Sequence, residues 1–538
     1  MIMSAAGHAV ISRIKPQFLQ GIDSTSAVLA SFLLLMLTIV GFVELRNAFG
    51  RYLSGTRSES AGAPLPGPYG IPILGNVLQM GAAPHEAFRK MAKTYGNVFR
   101  IHIGSRMVVV LNGYDAIRQA LVKQAVDFAG RPDLTTFKVI NNFRGKNIPT
   151  LTFSTHSPSW KLHKKIAEST FRHFTSGNQV SCVEQKVTEE ASELISYLIS
   201  NNNGGKEANV IDPSGFVKAS AVNILYSFIM NKRRPLDDEH LLNFLSMNQK
   251  FERATGSGNP VDFMPWLRFF PNQKLREFKE ILAETQDLLA DDIAEHQAEY
   301  KDGSDRDILD HLITVSRSID AAERKSTGIT EEQILSTVFD LFGAGFSTVS
   351  TTLLWVIMYA MKYPDAQQKV QRELDDIVGR DRLPNLSDRG QLPNTEAFIL
   401  ETLRHASVIP FSIPHTTTKD TTLNGYRIPK DTVVFVNLHS VAYDDSKFDD
   451  PTKFEPSRFL TSDGTALDPT KTEMLMSFSA GRRRCIGSDL AKVELFLYTS
   501  HLMHQCNFAT PEGHELNMEP QYGLALSPKP FKVAITPR

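Results

Sequence analysis

Residues 341–361 run for 21 positions without a charge, and this constrains the fold of the chain more than any other feature. A run of that length can cross a bilayer, or it can cross the interior of a large domain. Its composition decides between the two. Gly343, Gly345, Ser347, Thr348, Ser350, Thr351 and Thr352 put a small and polar stripe through it, unlike a lipid-facing surface. Thr330-Glu331-Glu332-Gln333 upstream fits a capping box, and Pro364 stands where a helix should stop. The reading is one helix of about 32 residues, roughly 48 Å long at 1.5 Å per residue, threaded through a core.

The bulk numbers allow such a core. The chain has 538 residues, 42% hydrophobic and 22% charged, ordinary for a globular protein with a large interior. A net charge of −1 carries no nucleic-acid footprint. Cys182, Cys485 and Cys506 are the three cysteines. They lie too far apart in sequence to suggest a disulfide framework or a C-x-x-C metal site, and they fit a reducing compartment.

A membrane signal lies at the N-terminus. Residues 24–43 are 20 uncharged positions dense in Leu, Val, Ile and Phe, enough for a spanning helix. Glu44-Leu45-Arg46 follows, not a small-residue cleavage site, so an uncleaved anchor is expected. Arg46, Arg51 and Arg57 after the span, against Arg13 and Lys15 before it, place the bulk on the cytoplasmic side. Residues 54–75 read as a linker ending in the Pro-rich run Pro64-Leu65-Pro66-Gly67-Pro68, a stiff hinge. The expected organisation is an anchor region over 1–53, this linker, and one large folded body over 76–538. Within the body, 98–103 and 107–111 alternate as a hairpin about Gly104-Ser105. Helical patterns dominate from 114 to 405, and strand signals return at 432–436 and near the C-terminus. The fold class is mainly α with a smaller β region.

The chemistry concentrates near the end of the chain. Phe478-Ser479-Ala480-Gly481-Arg482-Arg483-Arg484-Cys485-Ile486-Gly487 fits F-x-x-G-x-R-x-C-x-G. Leu490, Val493, Phe496 and Leu497 follow at helical spacing. A thiol at a helix N-terminus among arginines is biased toward thiolate, and a bound metal would remove its proton outright. One cysteine with no second one nearby suits an axial ligand on haem iron and suits four-coordinate zinc poorly. The stretch resembles the cysteine-ligand loop of the cytochrome P-450 haem-thiolate monooxygenases.

Further segments carry the same resemblance. Ala344-Gly345-Phe346-Ser347-Thr348 is similar to the family's oxygen-activation motif A/G-G-x-D/E-T. Thr348 matches the threonine, and Ser347 stands where the family usually has an acid, so a water chain held by Ser347 and Thr348 is expected to replace the carboxylate. Glu401-Thr402-Leu403-Arg404 resembles E-x-x-R, with Arg458 as third member of a buried structural cluster. For haem b, the resemblance nominates Cys485 as iron ligand, Phe478 beside it, and Arg131, Trp160, Lys164, His415 and Arg483 around the propionates. Lys164 replaces the Arg of W-x-x-x-R and so loses the bidentate fork.

The likeness narrows to animal family 1 through four segments: Gly130-Arg131-Pro132-Asp133-Leu134, Gly256-Ser257-Gly258-Asn259-Pro260, residues 340–346, and residues 409–415. It implies insertion of one oxygen atom from O2 into planar aromatic or lipophilic substrates: polycyclic aromatics, alkoxy-aryl ethers, oestrogen-like steroids. Substrate-contact positions would be Phe137, Phe251, Phe263, Asp340, Gly343, Ala344, Phe346, Ile409, Ile413 and Leu524, with aromatic faces beside Gly343 and Ala344 forming a thin slot. No G-x-G-x-x-G fingerprint or P-loop is visible, so electrons must be borrowed. The resemblance supplies NADPH–cytochrome P-450 reductase, with cytochrome b5 as a second donor, docking on Lys161, Lys164, Lys165, Arg482 and Arg484. It implies residence in the endoplasmic reticulum membrane. A steroid hydroxylase of the same superfamily, decided by a few pocket residues, and a non-catalytic haem-binding sensor, distinguished by the lack of NADPH-dependent turnover with added reductase, are the alternatives.

Overall fold

The computed structural model describes residues 63–538 apart from 177–179, 201–207 and 256–257, together with Ser31 and Thr38. The expected anchor at 24–43 lies outside the described residues except for those two positions, as do linker residues 54–62 and Gly256-Ser257.

Seven helices frame the site: α1 (Pro158–Thr175), α2 (Val180–Ile199), α3 (Ser214–Met230), α4 (Glu239–Thr255), α5 (Thr337–Lys362), α6 (Pro393–Ala406) and α7 (Ser488–Gln505). Helix α5 is the expected core helix. It packs along α3 and touches α6 and α7, and its C-terminal half is sealed, with Val356, Ile357, Met358 and Ala360 all 0% exposed. Helix α3 is apolar almost all round and buried over most of its length, as a helix surrounded by others must be.

The helical run spans Glu331–Lys362, 32 residues as expected. Ser336, with φ −62° and ψ −13°, forms a single turn residue between Glu331–Leu335 and α5. Its hydroxyl donates to the Gln333 carbonyl at 2.7 Å, a local bond that competes with the helical ladder. The capping box is half made. Thr330 accepts from the Gln333 N–H, but the Gln333 side chain accepts from Ser159 Oγ at 2.6 Å and so ties this turn to α1.

The β region is a four-stranded sheet of β1 (Val98–Ile103), β2 (Arg106–Leu111), β3 (His415–Thr416) and β4 (Val433–Val436), in the order β1-β2-β4-β3. The hairpin is antiparallel with Val98 opposite Leu111, and β4 runs parallel to β2 with Val108 opposite Val433. His415 pairs with Val434, so this sheet carries one nominated haem-edge residue. A smaller sheet joins Cys506–Ala509, Val533–Pro537 and Asn209–Ile211.

The Pro-rich stretch belongs to the folded body. Ala63 N–H donates to Gly425 O at 3.1 Å, Arg100 N–H to Pro66 O at 2.8 Å, and Asn76 N–H to His102 O at 2.6 Å. A Cβ on Gly67 would lie 2.0 Å from Arg100 O, so the chain lies directly on β1 there. The expected boundary at residue 76 therefore moves back to at least Ala63.

Candidate active site

The Cys485 loop is shaped by its backbone. Ser479 (φ 58°) and Gly481 (φ 70°) both adopt the left-handed region, and Cys485 N–H closes the loop onto Phe478 O at 3.0 Å. Gly481 has no substitute: a Cβ would sit 1.7 Å from Leu121 O. The loop then delivers Cys485 three residues before α7 begins at Ser488. Its thiol has accessible surface although protein crowds it, because it faces an internal cavity. Burial raises the thiol above its ordinary value, and the Gly487 N–H and Arg484 only partly oppose this. Surrounding arginines were expected to favour the thiolate, but Arg483 is turned to carbonyls and Arg484 to Ser488 and Asp489. A bound metal would take off that proton.

The cavity holds about 1460 Å³ and is bounded by the Cys485 loop and by α5. Phe478, Arg483 and Cys485 lie on the loop side, and Gly343, Ala344, Ser347 and Thr348 on the helix side. Gly343 and Ala344 are exposed in the middle of a core helix, which is possible only because this space adjoins them. A Cβ on Gly343 meets nothing within 4 Å, whereas one on Gly345 would come within 2.9 Å of Leu225. The first glycine opens the cavity; the second seats α5 on α3.

Two half-buried guanidiniums mark the edge. Arg131 donates to the carbonyls of Thr152 (2.9 Å), Ile413 (3.0 Å) and Pro414 (3.0 Å). Arg483 donates to Ala129 (2.9 Å), Leu151 (3.3 Å) and Ser154 (2.7 Å) and stacks 3.8 Å over the Trp160 ring. Among the described residues neither forms an ion pair with a carboxylate. Burial alone pulls Arg131 down to about 9; burial, with repulsion from Arg131, pulls Arg483 to about 8. Paired cations without an acid are costly unless an anion joins them. This donor set, with one thiol facing a wide slot, fits an iron porphyrin and its two propionates.

The other nominated edge residues are partly committed within the chain. Trp160 Nε1–H donates to Leu151 O at 2.8 Å, Lys164 pairs with Glu168 at 3.0 Å, and His415 Nδ1 meets Phe128 O at 2.7 Å. Burial and then Arg131 hold His415 well below its ordinary value, so it is neutral. All three line the cavity.

Of the expected substrate positions, Phe137, Phe251, Phe263, Ile409, Ile413 and Leu524 line the cavity. Asp340 lines it too, but its carboxylate accepts from the N–H groups of Leu151 (2.7 Å) and Thr152 (3.3 Å). It thereby fastens the segment whose carbonyls hold Trp160, Arg131 and Arg483. Phe346 is a correction: 1% exposed and outside the cavity wall, it packs on Phe244 with centroids 5.6 Å apart, because its position on α5 faces the core. Thr348 Oγ1 donates to Ala344 O at 3.0 Å. Ser347 Oγ donates to Glu252 Oε1, a residue that sequence reading missed. The one hint was its place beside Phe251.

The structural cluster lies behind the loop. Arg404 grips Glu401 with two bonds of 2.7 and 2.8 Å, both side chains 0% exposed, and Arg458 Nε reaches Glu401 at 3.1 Å. Arg404 also donates to Ala442 O and Pro451 O, so α6 is bound to the segment that precedes the Cys485 loop.

The comparisons agree with this geometry. Residues 65–535 match the family model described as Cytochrome P450. The chain is 40% identical to cytochrome P450 1A5 of Gallus gallus over 486 residues, 89% of this chain and 90% of that protein. It is 41% identical to cytochrome P450 1A1 of Limanda limanda, across 88% of this chain and 91% of the relative. For cytochrome P450 1A1 of Rattus norvegicus the identity is 41%, across 86% and 87%. Such similarity along nearly the whole described body leaves one conclusion: the chain belongs to the cytochrome P450 monooxygenases, in family 1.

Proposed function

We propose that the protein is a membrane-anchored monooxygenase of the endoplasmic reticulum that oxidises planar aromatic and lipophilic molecules with electrons from NADPH. The observation that carries this reading is the opposition of Cys485 and the Gly343–Thr348 stretch across one cavity. Haem b, when bound, supplies the electron-accepting and oxygen-activating chemistry. The chain does the rest. Cys485 would hold the iron through its sulfur, and Arg131 and Arg483 would neutralise the propionates, with His415, Trp160 and Lys164 completing that edge. Thr348 and Ser347 hold and pass protons beside the Gly343–Ala344 opening.

Substrate selection rests on shape. The missing side chain at Gly343 leaves room for a flat ring against α5, and Phe137, Phe251 and Phe263 offer aromatic faces. Electrons enter from NADPH–cytochrome P-450 reductase, with cytochrome b5 as second donor. Lys161, Lys165, Arg482 and Arg484 are exposed, as a docking face for an acidic partner requires. Membrane contact is supported apart from the anchor: Trp266, Phe269 and Phe270 are 48%, 75% and 60% exposed within one short segment.

The test is the carbon monoxide spectrum of the reduced protein, then NADPH-dependent oxidation of planar alkoxy-aryl ethers with added reductase. The expected result is a thiolate-type spectrum and ether cleavage. Haem reduction without product would favour a sensor. Turnover confined to steroids would favour the steroid hydroxylase.

A further inference from the structure

The second shared element of the relay comes from another helix. The family pattern places an acid at the position of Ser347, and this chain has none there. Yet the Ser347 hydroxyl donates to a carboxylate, Glu252 Oε1, from α4 and 95 positions earlier in the chain. Asn248, one turn back on α4, donates to the same oxygen with its Nδ2 at 3.0 Å. Glu252, Ser347 and Thr348 all line the cavity. Among the described residues Glu252 has no cationic partner. Its side-chain contacts are a hydroxyl and an amide, both donating to the one oxygen Oε1.

We infer that Glu252 is the carboxylate of this active site, standing in for the acid that α5 lacks and feeding protons to the cavity through the Ser347 hydroxyl. This rests on the monooxygenase reading above. In the step, protonated Glu252 gives its proton to Ser347 Oγ while Ser347 gives its own hydroxyl proton to the acceptor in the cavity. Ser347 ends neutral, Glu252 ends as a carboxylate, and a proton taken up from solvent at the partly exposed Glu252 restores its acid form. No electron moves. Thr348, whose own proton is bonded to Ala344 O, keeps its oxygen as an acceptor beside this path. Glu252 acts through Ser347 and is a positioning residue of the relay.

The test compares wild type, E252Q, S347A and E252Q/S347D as holoenzymes with reductase, after the carbon monoxide spectrum has verified haem in each. E252Q should lower product formed per NADPH consumed by about tenfold or more, with a matching rise in hydrogen peroxide. E252Q/S347D, which restores an acid on α5 itself, should recover coupling to within about twofold of wild type. A purely structural tie between α4 and α5 would not be rescued in this way, so failure of rescue overturns the proposal, as does unchanged coupling in E252Q. Should E252Q fail to load haem, S347A reads the same link and should uncouple similarly. A second readout needs no turnover. The melting-temperature losses of E252Q and S347A should be non-additive in the double variant, and simple addition would remove the contact. Absence of wild-type product would instead sink the monooxygenase reading, which separates the two failures.

Discussion

The wall behind Cys485 and the wall formed by α5 treat their charges in opposite ways. Behind the loop, Glu401, Arg404 and Arg458 satisfy one another and the nearby carbonyls, with the two central side chains wholly buried. Across the cavity, Asp340 is held by backbone amides, Ser347 borrows Glu252, and at the edge Arg131 and Arg483 repel each other with no acid paired to either among the described residues. A closed network is scaffold, since nothing further can bind to it. An open one costs stability in the protein alone and gains it back from a ligand.

The largest effect should come from opening the closed side. Glu401→Ala strands two guanidiniums and should cost about 3–5 kcal/mol, yielding haem-free protein. Haem absorbance per polypeptide measures this, and normal haem content would make the cluster dispensable. Filling the open side comes next. Gly343→Val places methyls where a Cβ now meets nothing, so large planar substrates should lose about tenfold more rate than small ones. Equal loss for both would argue against a slot.

A smaller effect should appear in pH dependence. Burial raises the Asp340 carboxyl from 3.8 to about 6, against its bonds to Thr152 and Leu151. The folded state then holds the proton more tightly than the unfolded chain, so this group's contribution to stability falls as pH rises from 3.8 to about 6 and is flat above. Melting temperatures of wild type and Asp340→Asn across that range should diverge accordingly, and parallel curves would contradict it. The smallest change is Phe346→Leu. It should cost about 1 kcal/mol by loosening the contact with Phe244, with the substrate ranking unaltered. An altered ranking would return Phe346 to the cavity wall.

Much of the loop side was legible in the chain. Phe478 to Gly487 is one continuous segment, and Glu401 and Arg404 are three apart on one helix face, so spacing alone describes their relation. The open side was legible only in part. Gly343, Ala344, Ser347 and Thr348 could be read as a stripe, but helical spacing did not exclude Phe346, whose outward or inward sense depends on where α3 and α4 pack. Trp160 and Lys164 were read for their chemical types, and local partners, Leu151 O and Glu168, now occupy them.

By itself, the sequence determined the mainly helical class, the core helix, the hairpin, the thiol loop and the buried ion-pair helix. These depend on periodicity and on contacts within a few residues, which a linear pattern records. Only the tertiary structure decided that Arg131 and Arg483 lie close enough to repel each other with no acid paired to either among the described residues, and that Glu252 meets Ser347. Each depends on elements brought together from far along the chain. No local pattern encodes which side chain will stand opposite which once the core has closed.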